Sequence, residues 1–131
     1  MFYRYEAKND DGDYEGIFSF FNPDHRRYFN RFLREPKWYQ NNPDIASRCW
    51  FTEAGYQKYH HVIDGLIIEA GIRNVRLLTR EELPNIVCRG KIQCIERVYE
   101  GERLAFVSMS PADIWAVTQS TPSAYETIRV S

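Results

Sequence analysis

Cysteine is scarce in this chain: three in 131 residues, Cys49, Cys88 and Cys94, with no Cys-x-x-Cys pair. So small and odd a set argues against a disulfide framework and against a structural zinc site, and reads as free thiols in a reducing, cytoplasmic setting. Apolar runs are short as well. None approaches the roughly 20 residues that a bilayer span needs, so no membrane partner is expected. The first residues carry Arg4 and turn polar from Lys8 to Asp11, which predicts no signal peptide. An excess of either charge is also missing, since 17 basic and 18 acidic residues leave a formal charge of −1. Bulk charge therefore selects neither nucleic acid nor membrane. The chain has no P-loop, no G-x-S-x-G and no G-x-G-x-x-G, and no repeat, linker or low-complexity segment.

What the chain does have is aromatic mass. Nine Tyr, eight Phe and three Trp make up 15% of it, within a hydrophobic share of 44%. That share is enough for a core and argues against disorder. Large rings suit the core of a small protein, and some of them can also serve as exposed binding groups. The length fits one domain.

Residues 2–8 read as a strand, with Phe2, Arg4 and Glu6 alternating against Tyr3 and Tyr5. Asn9, Asp10, Asp11 and Gly12 make a turn, and residues 14–21 a returning strand. Asn22, Pro23 and Asp24 have the composition of a helix start. That helix is expected to reach Arg34, with Tyr28, Phe29, Phe32 and Leu33 on its buried face. Residues 37–47 read as a loop and 48–51 as a short strand. Thr52 caps a long helix over about 53–70, which Gly71 ends. Its buried stripe is Tyr56, Tyr59, Ile63, Leu66 or Ile67, and Ala70.

Strands follow at 74–78, 85–88, 91–99 and 104–108. A capping box at Thr79 to Glu82 predicts one helical turn, and Ser110-Pro111 predicts a last short helix. The tail from 120 to 131 is small and polar, loosely packed apart from a strand at 127–130. This order predicts a single α+β domain over 1–131, a mainly antiparallel sheet with two main helices packed on it.

The segment from Phe18 to Tyr39 carries the densest pattern. Its eight aromatic residues interleave with Arg26, Arg27, Arg31, Arg34 and Lys37, opposed only by Asp24 and Glu35. One reading is a solvated helix face above a buried aromatic stripe. The other is a local positive field that engages phosphates or an acidic surface. Arg26, Arg27, Arg31, Arg34, Lys37, Trp38 and Tyr39 are the candidate partner-binding residues, because Arg and aromatic side chains dominate interface energies.

The adjacent His60 and His61 point about 100° apart on a helix and cannot both reach one metal in ordinary geometry. Solvated imidazoles and no metal site are expected. Among the thiols, only Cys49 lies near a helix start in sequence, so no catalytic cysteine is indicated.

An aromatic strand running into a Thr-capped helix, Cys49-Trp50-Phe51-Thr52, follows Tyr3-Arg4 and precedes Gln93-Cys94-Ile95-Glu96. In these patches the chain resembles ADP-ribosyltransferases. That resemblance implies an enzyme with NAD as cofactor, in which Arg4 holds the nicotinamide mononucleotide end beside Thr52. Glu96 would then stabilise the oxocarbenium-like transition state. The chain departs from the family pattern in having no Gly after Arg4, no Ser-Thr-Ser, and no Glu-x-Glu around Glu96. Apart from the family, Thr52 reads as a plain helix cap and Glu96 as a strand-surface carboxylate. In general character the chain also resembles small accessory proteins of phages and other mobile genetic elements, anti-CRISPR proteins and other inhibitors of host defence included.

The leading expectation is thus a non-enzymatic, cytoplasmic interaction protein that uses no cofactor. It would bind a host protein or ribonucleoprotein through the basic and aromatic surface, with nucleic acid as a further partner for the basic helix. The transferase is one alternative, and a nucleotide or small-signal binder with an aromatic-lined pocket and an Arg for phosphate is another.

Overall fold

A computed structural model of the protein describes residues 1–31, 33, 36–107 and 125–131. Phe32, Arg34, Glu35 and residues 108–124 lie outside that set, and with them the helix expected from Ser110. The chain folds as β1 (Phe2–Lys8), β2 (Tyr14–Gly16), a 3-10 turn (Ile17–Phe20), α1 (Pro23–Asn30), α2 (Trp38–Asn41), β3 (Ser47–Phe51) and α3 (Glu53–Ala70). It continues through β4 (Val75–Arg80), β5 (Ile86–Arg89), β6 (Gln93–Arg97), β7 (Phe106–Val107) and β8 (Glu126–Val130).

The eight strands form one sheet in the order β5-β6-β3-β1-β4-β8-β7, with β2 paired to the far end of β1. Among the described residues every pairing is antiparallel except β4 with β8. The fold is therefore α+β with a mainly antiparallel sheet, and α1 and α3 pack on it. No helix among the described residues is long and apolar enough to cross a membrane.

Local sequence explains the best-defined elements. Asn9 Oδ1 accepts from the amides of Asp11 and Asp13 at 3.0 and 2.9 Å, and Gly12 supplies the positive φ that closes the first hairpin. Thr52 Oγ1 accepts from Gly55 N at 3.0 Å and so caps α3. At the other end Gly71 is left-handed. Its amide bonds Ile68 O while Ile72 N bonds Ile67 O, the paired pattern of a Schellman stop.

Several expectations need correction. The returning strand stops at Gly16, because Ile17, Phe18, Phe20 and Phe21 recur with a helical rather than a two-residue period, and Ile17–Phe20 form a 3-10 turn that buries Ile17. Helix α1 ends at Asn30, its last turn tightened by an Arg31 N to Tyr28 O bond of 3.2 Å. The expected 37–47 loop contains α2, a single helical turn. Thr79 and Arg80 do not start a helix. They extend β4, where pairing to Tyr3 and Phe2 on one side and to Arg129 and Val130 on the other outweighs the local capping box.

The two faces of the sheet are covered differently. Tyr3, Tyr5, Ala7, Phe51 and Leu77 meet Tyr56, Ile63, Leu66 and Ile67 of α3 and Phe29 of α1. On the opposite face Trp50, Leu78, Cys94 and Val130 form a smaller apolar cluster with Leu83, and Phe2, Ile86 and Leu104 pack beside it.

Candidate functional site

The 3-10 turn, α1, α2 and the edges of β3 and β6 enclose a cleft of about 340 Å³. Residues 26, 29 and 30 share one side of α1 by helical spacing, which brings Arg26, Phe29 and Asn30 to its wall together. Phe18 and Ser19 come from the 3-10 turn, Tyr39 from α2, Cys49 from β3 and Gln93 from β6, with Pro36 at the rim. The rings of Phe18 and Phe29 lie 4.3 Å apart and tilted, giving the cleft a firm aromatic wall. Arg26 spends its Nε on Phe21 O at 3.0 Å, an anchor that holds the guanidinium at the wall. Burial pushes the Cys49 thiol up to about 11 against the opposing pull of Arg4, so Cys49 is an unreactive wall residue at neutral pH. Burial, reinforced by Cys49, likewise raises the Tyr39 phenol, which stays protonated as a hydrogen-bond donor.

Of the seven candidate partner residues, Arg26 and Tyr39 line this cleft. Arg27, Arg31 and Lys37 are exposed, next in sequence to the lining residues Arg26, Asn30 and Pro36. Arg27 pairs with Asp24. Trp38 is half-buried and sits edge-on to Tyr39, with ring centroids 5.6 Å apart. Arg34 lies outside the described residues, as does Phe32. Tyr28, expected in the core, is 45% exposed. Phe29 and Leu33, four residues apart, carry the buried stripe, and Tyr28 sits a helical step away from it.

Arg4 lies on β1, Glu96 on β6 and Thr52 just past the end of β3 as the cap of α3, and β1, β3 and β6 are neighbours in the sheet. Arg4 and Glu96 face away from α3, each engaged in its own ion network. Arg4 bonds Glu6 at 2.9 Å and reaches the Cys49 carbonyl at 3.0 Å, bridging β1 and β3 where they diverge beyond the Tyr3–Phe51 pair. Gly16 leaves room for that guanidinium, since a Cβ there would lie 3.0 Å from Arg4 Nη2. Thr52, besides capping α3, donates to Lys91 O at 2.6 Å. Glu96, expected to be a strand-surface carboxylate, is fully buried. It accepts from Arg80 at 2.9 Å, Trp50 Nε1 at 3.1 Å and Arg48 at 3.5 Å.

Glu6 forms the matching network with Arg4 and Arg76, the latter at 2.6 Å. Burial alone would raise the Glu6 carboxyl, but the two guanidiniums outweigh it and hold it below the ordinary 4.5. The even spacing that puts Arg4 with Glu6, and Arg76 with Arg80, on one face of their strands is the sequence signal for these networks, whose members come from strands distant in the chain.

A second buried polar group was missed. His60, expected to be solvated, is 6% exposed on the buried side of α3, with Nδ1 3.4 Å from Asp64; His61 is exposed. Burial raises the Asp64 carboxyl, with His60 opposing. The hydroxyls of Tyr5, Tyr56 and Tyr125 are close by, and among the described residues they and Asp64 Oδ1 are buried without a hydrogen-bond partner at ordinary distance. Among the described residues no group of three His, Cys, Asp or Glu is placed to hold a metal.

No family model, curated protein or solved structure matches the chain.

Proposed function

We propose that the protein is an interaction protein that binds a host macromolecule at the corner formed by α1 and α2. One observation carries this reading. Arg26 and Tyr39, singled out by residue type alone, line a single cleft with two further rings, beside the exposed cations Arg27, Arg31 and Lys37. A recess with aromatic walls and an Arg at its edge is the form that an interface anchor point takes. The test is a charge reversal of Arg27, Arg31 and Lys37 to Glu. Exposed charges contribute roughly 0–1 kcal/mol each, so the melting curve should hold. Capture of the partner from host lysate, identified by mass spectrometry, should be lost. An unchanged set of captured proteins and nucleic acids would remove the reading.

The adjacency of β1, β3 and β6 favours a second reading, the NAD-dependent transferase. It requires Arg48 and Arg80 to release Glu96 to the substrate. Nicotinamide release from millimolar NAD, abolished by Glu96→Gln in a protein that still melts cooperatively, would support it. No release would end it.

A further inference from the structure

Resting on the reading that the α1–α2 corner is the binding surface, we infer that its partner is a single-stranded nucleic acid, one base of which enters the cleft. Three features of the corner converge on that chemistry. The cleft offers the rings of Phe18, Phe29 and Tyr39, and every base presents a face that stacks on such rings. Asn30 from α1 and Gln93 from β6 add two amides, each both donor and acceptor, to the lining. Those groups suit the hydrogen-bonding edge of an unpaired base, which a duplex keeps hidden.

The third feature is the placement of charge. Arg26 is at the wall, while Arg27 and Arg31 are exposed along α1 and Lys37 precedes α2. Residues 27 and 31 are one helical turn apart, about 6 Å along the axis, so their side chains can follow successive phosphates of an extended strand. A free mononucleotide would use Arg26 and leave the outer cations idle. An acidic protein would use the outer cations and leave the amide-lined recess idle. A strand with one base inserted uses both. The formal charge of −1 for the whole chain makes this corner a local exception and does not oppose it.

The experiment is fluorescence anisotropy of the full chain with labelled twelve-nucleotide single strands of uridine and of thymidine. The same strands annealed to their complements are the duplex arm, and UMP and dTMP are unlabelled competitors. Single strands should bind at least tenfold more tightly than duplex, and the mononucleotides should compete only at far higher concentration. Tyr39→Leu should weaken binding at least about fivefold through lost stacking. Charge reversal of Arg31 and Lys37 should weaken it further and flatten its salt dependence. A second variant, Gln93→Ala, keeps the test valid if Tyr39→Leu fails to fold, and should weaken single-strand binding several-fold by removing an amide partner of the inserted base.

Equal binding of duplex, or mononucleotides that compete as well as the strand, would overturn the inference. So would the absence of any binding. In that last case capture of a host protein that the charge reversal abolishes would still uphold the interaction reading, so the two can fail separately.

Discussion

The two faces of this sheet solve the same burial problem by different means. On the α3 side, rings stack on rings: Tyr3 lies 3.9 Å from Tyr56 and nearly parallel to it, and Tyr56 continues onto His60. On the other side the strands carry charge inward, and each buried glutamate is clamped by two arginines. Aromatic packing is gained in proportion to area and tolerates small shifts. Buried ion networks contribute less net stability, because desolvation consumes much of the attraction, but they fail badly when one member is lost. The first face should therefore give graded losses on mutation, and the second an abrupt one.

The largest effect is expected from Glu96→Ala, which leaves Arg48 and Arg80 facing each other with no counter-charge. It should cost about 3–5 kcal/mol, measured by urea denaturation. Replacing Arg48, Glu96 and Arg80 together by apolar residues of similar volume should recover most of that loss. If the triple variant is as unstable as the single one, the network contributes directly rather than through its vulnerability, and the contrast between the faces disappears.

Leu66→Ala on the aromatic face comes next, at about 2–5 kcal/mol for a fully packed Leu. A loss below about 0.5 kcal/mol, in the range of surface substitutions, would mean that α3 presents a different face to the sheet.

Acid provides the smallest and most gradual test. The Glu6 carboxyl is lowered in the folded chain, so its contribution is fully present above the unfolded value near 4.5 and is lost as pH falls through the folded one. Glu6→Gln should remove that part of the decline from a stability-versus-pH curve below pH 4.5. An unaltered acid limb would show that the lowering is not expressed in stability.

How much could be read from the sequence followed the range of the interactions involved. Helix α3 was legible at both ends because Thr52 and Gly71 act within a few residues of themselves. The first hairpin was legible for the same reason, through Asn9 and Gly12. The extra length of β4 was not, because β1 and β8 decide it from far along the chain. Glu96 read as a surface carboxylate because its clamps come from residues 48 and 80, which only the sheet order brings together. At the cleft, residue type picked out Arg26 and Tyr39. The contributions of Phe18, Cys49 and Gln93 depend on three elements meeting, for which no local pattern exists.

The order of the strands also constrains when the fold can assemble. Strand β7 has β8 as its only strand partner among the described residues, and β8 lies between it and β4. A chain emerging in sequence order makes β7 first and must hold Phe106 and Val107 without a place in the sheet until residues 126–130 have docked beside β4. Strands β1 and β3 to β6 can pair before then, so assembly should have an early central stage and a late marginal one. During that interval the β4 edge is open to any extended segment that reaches it, and a second copy of the chain could donate the same five residues.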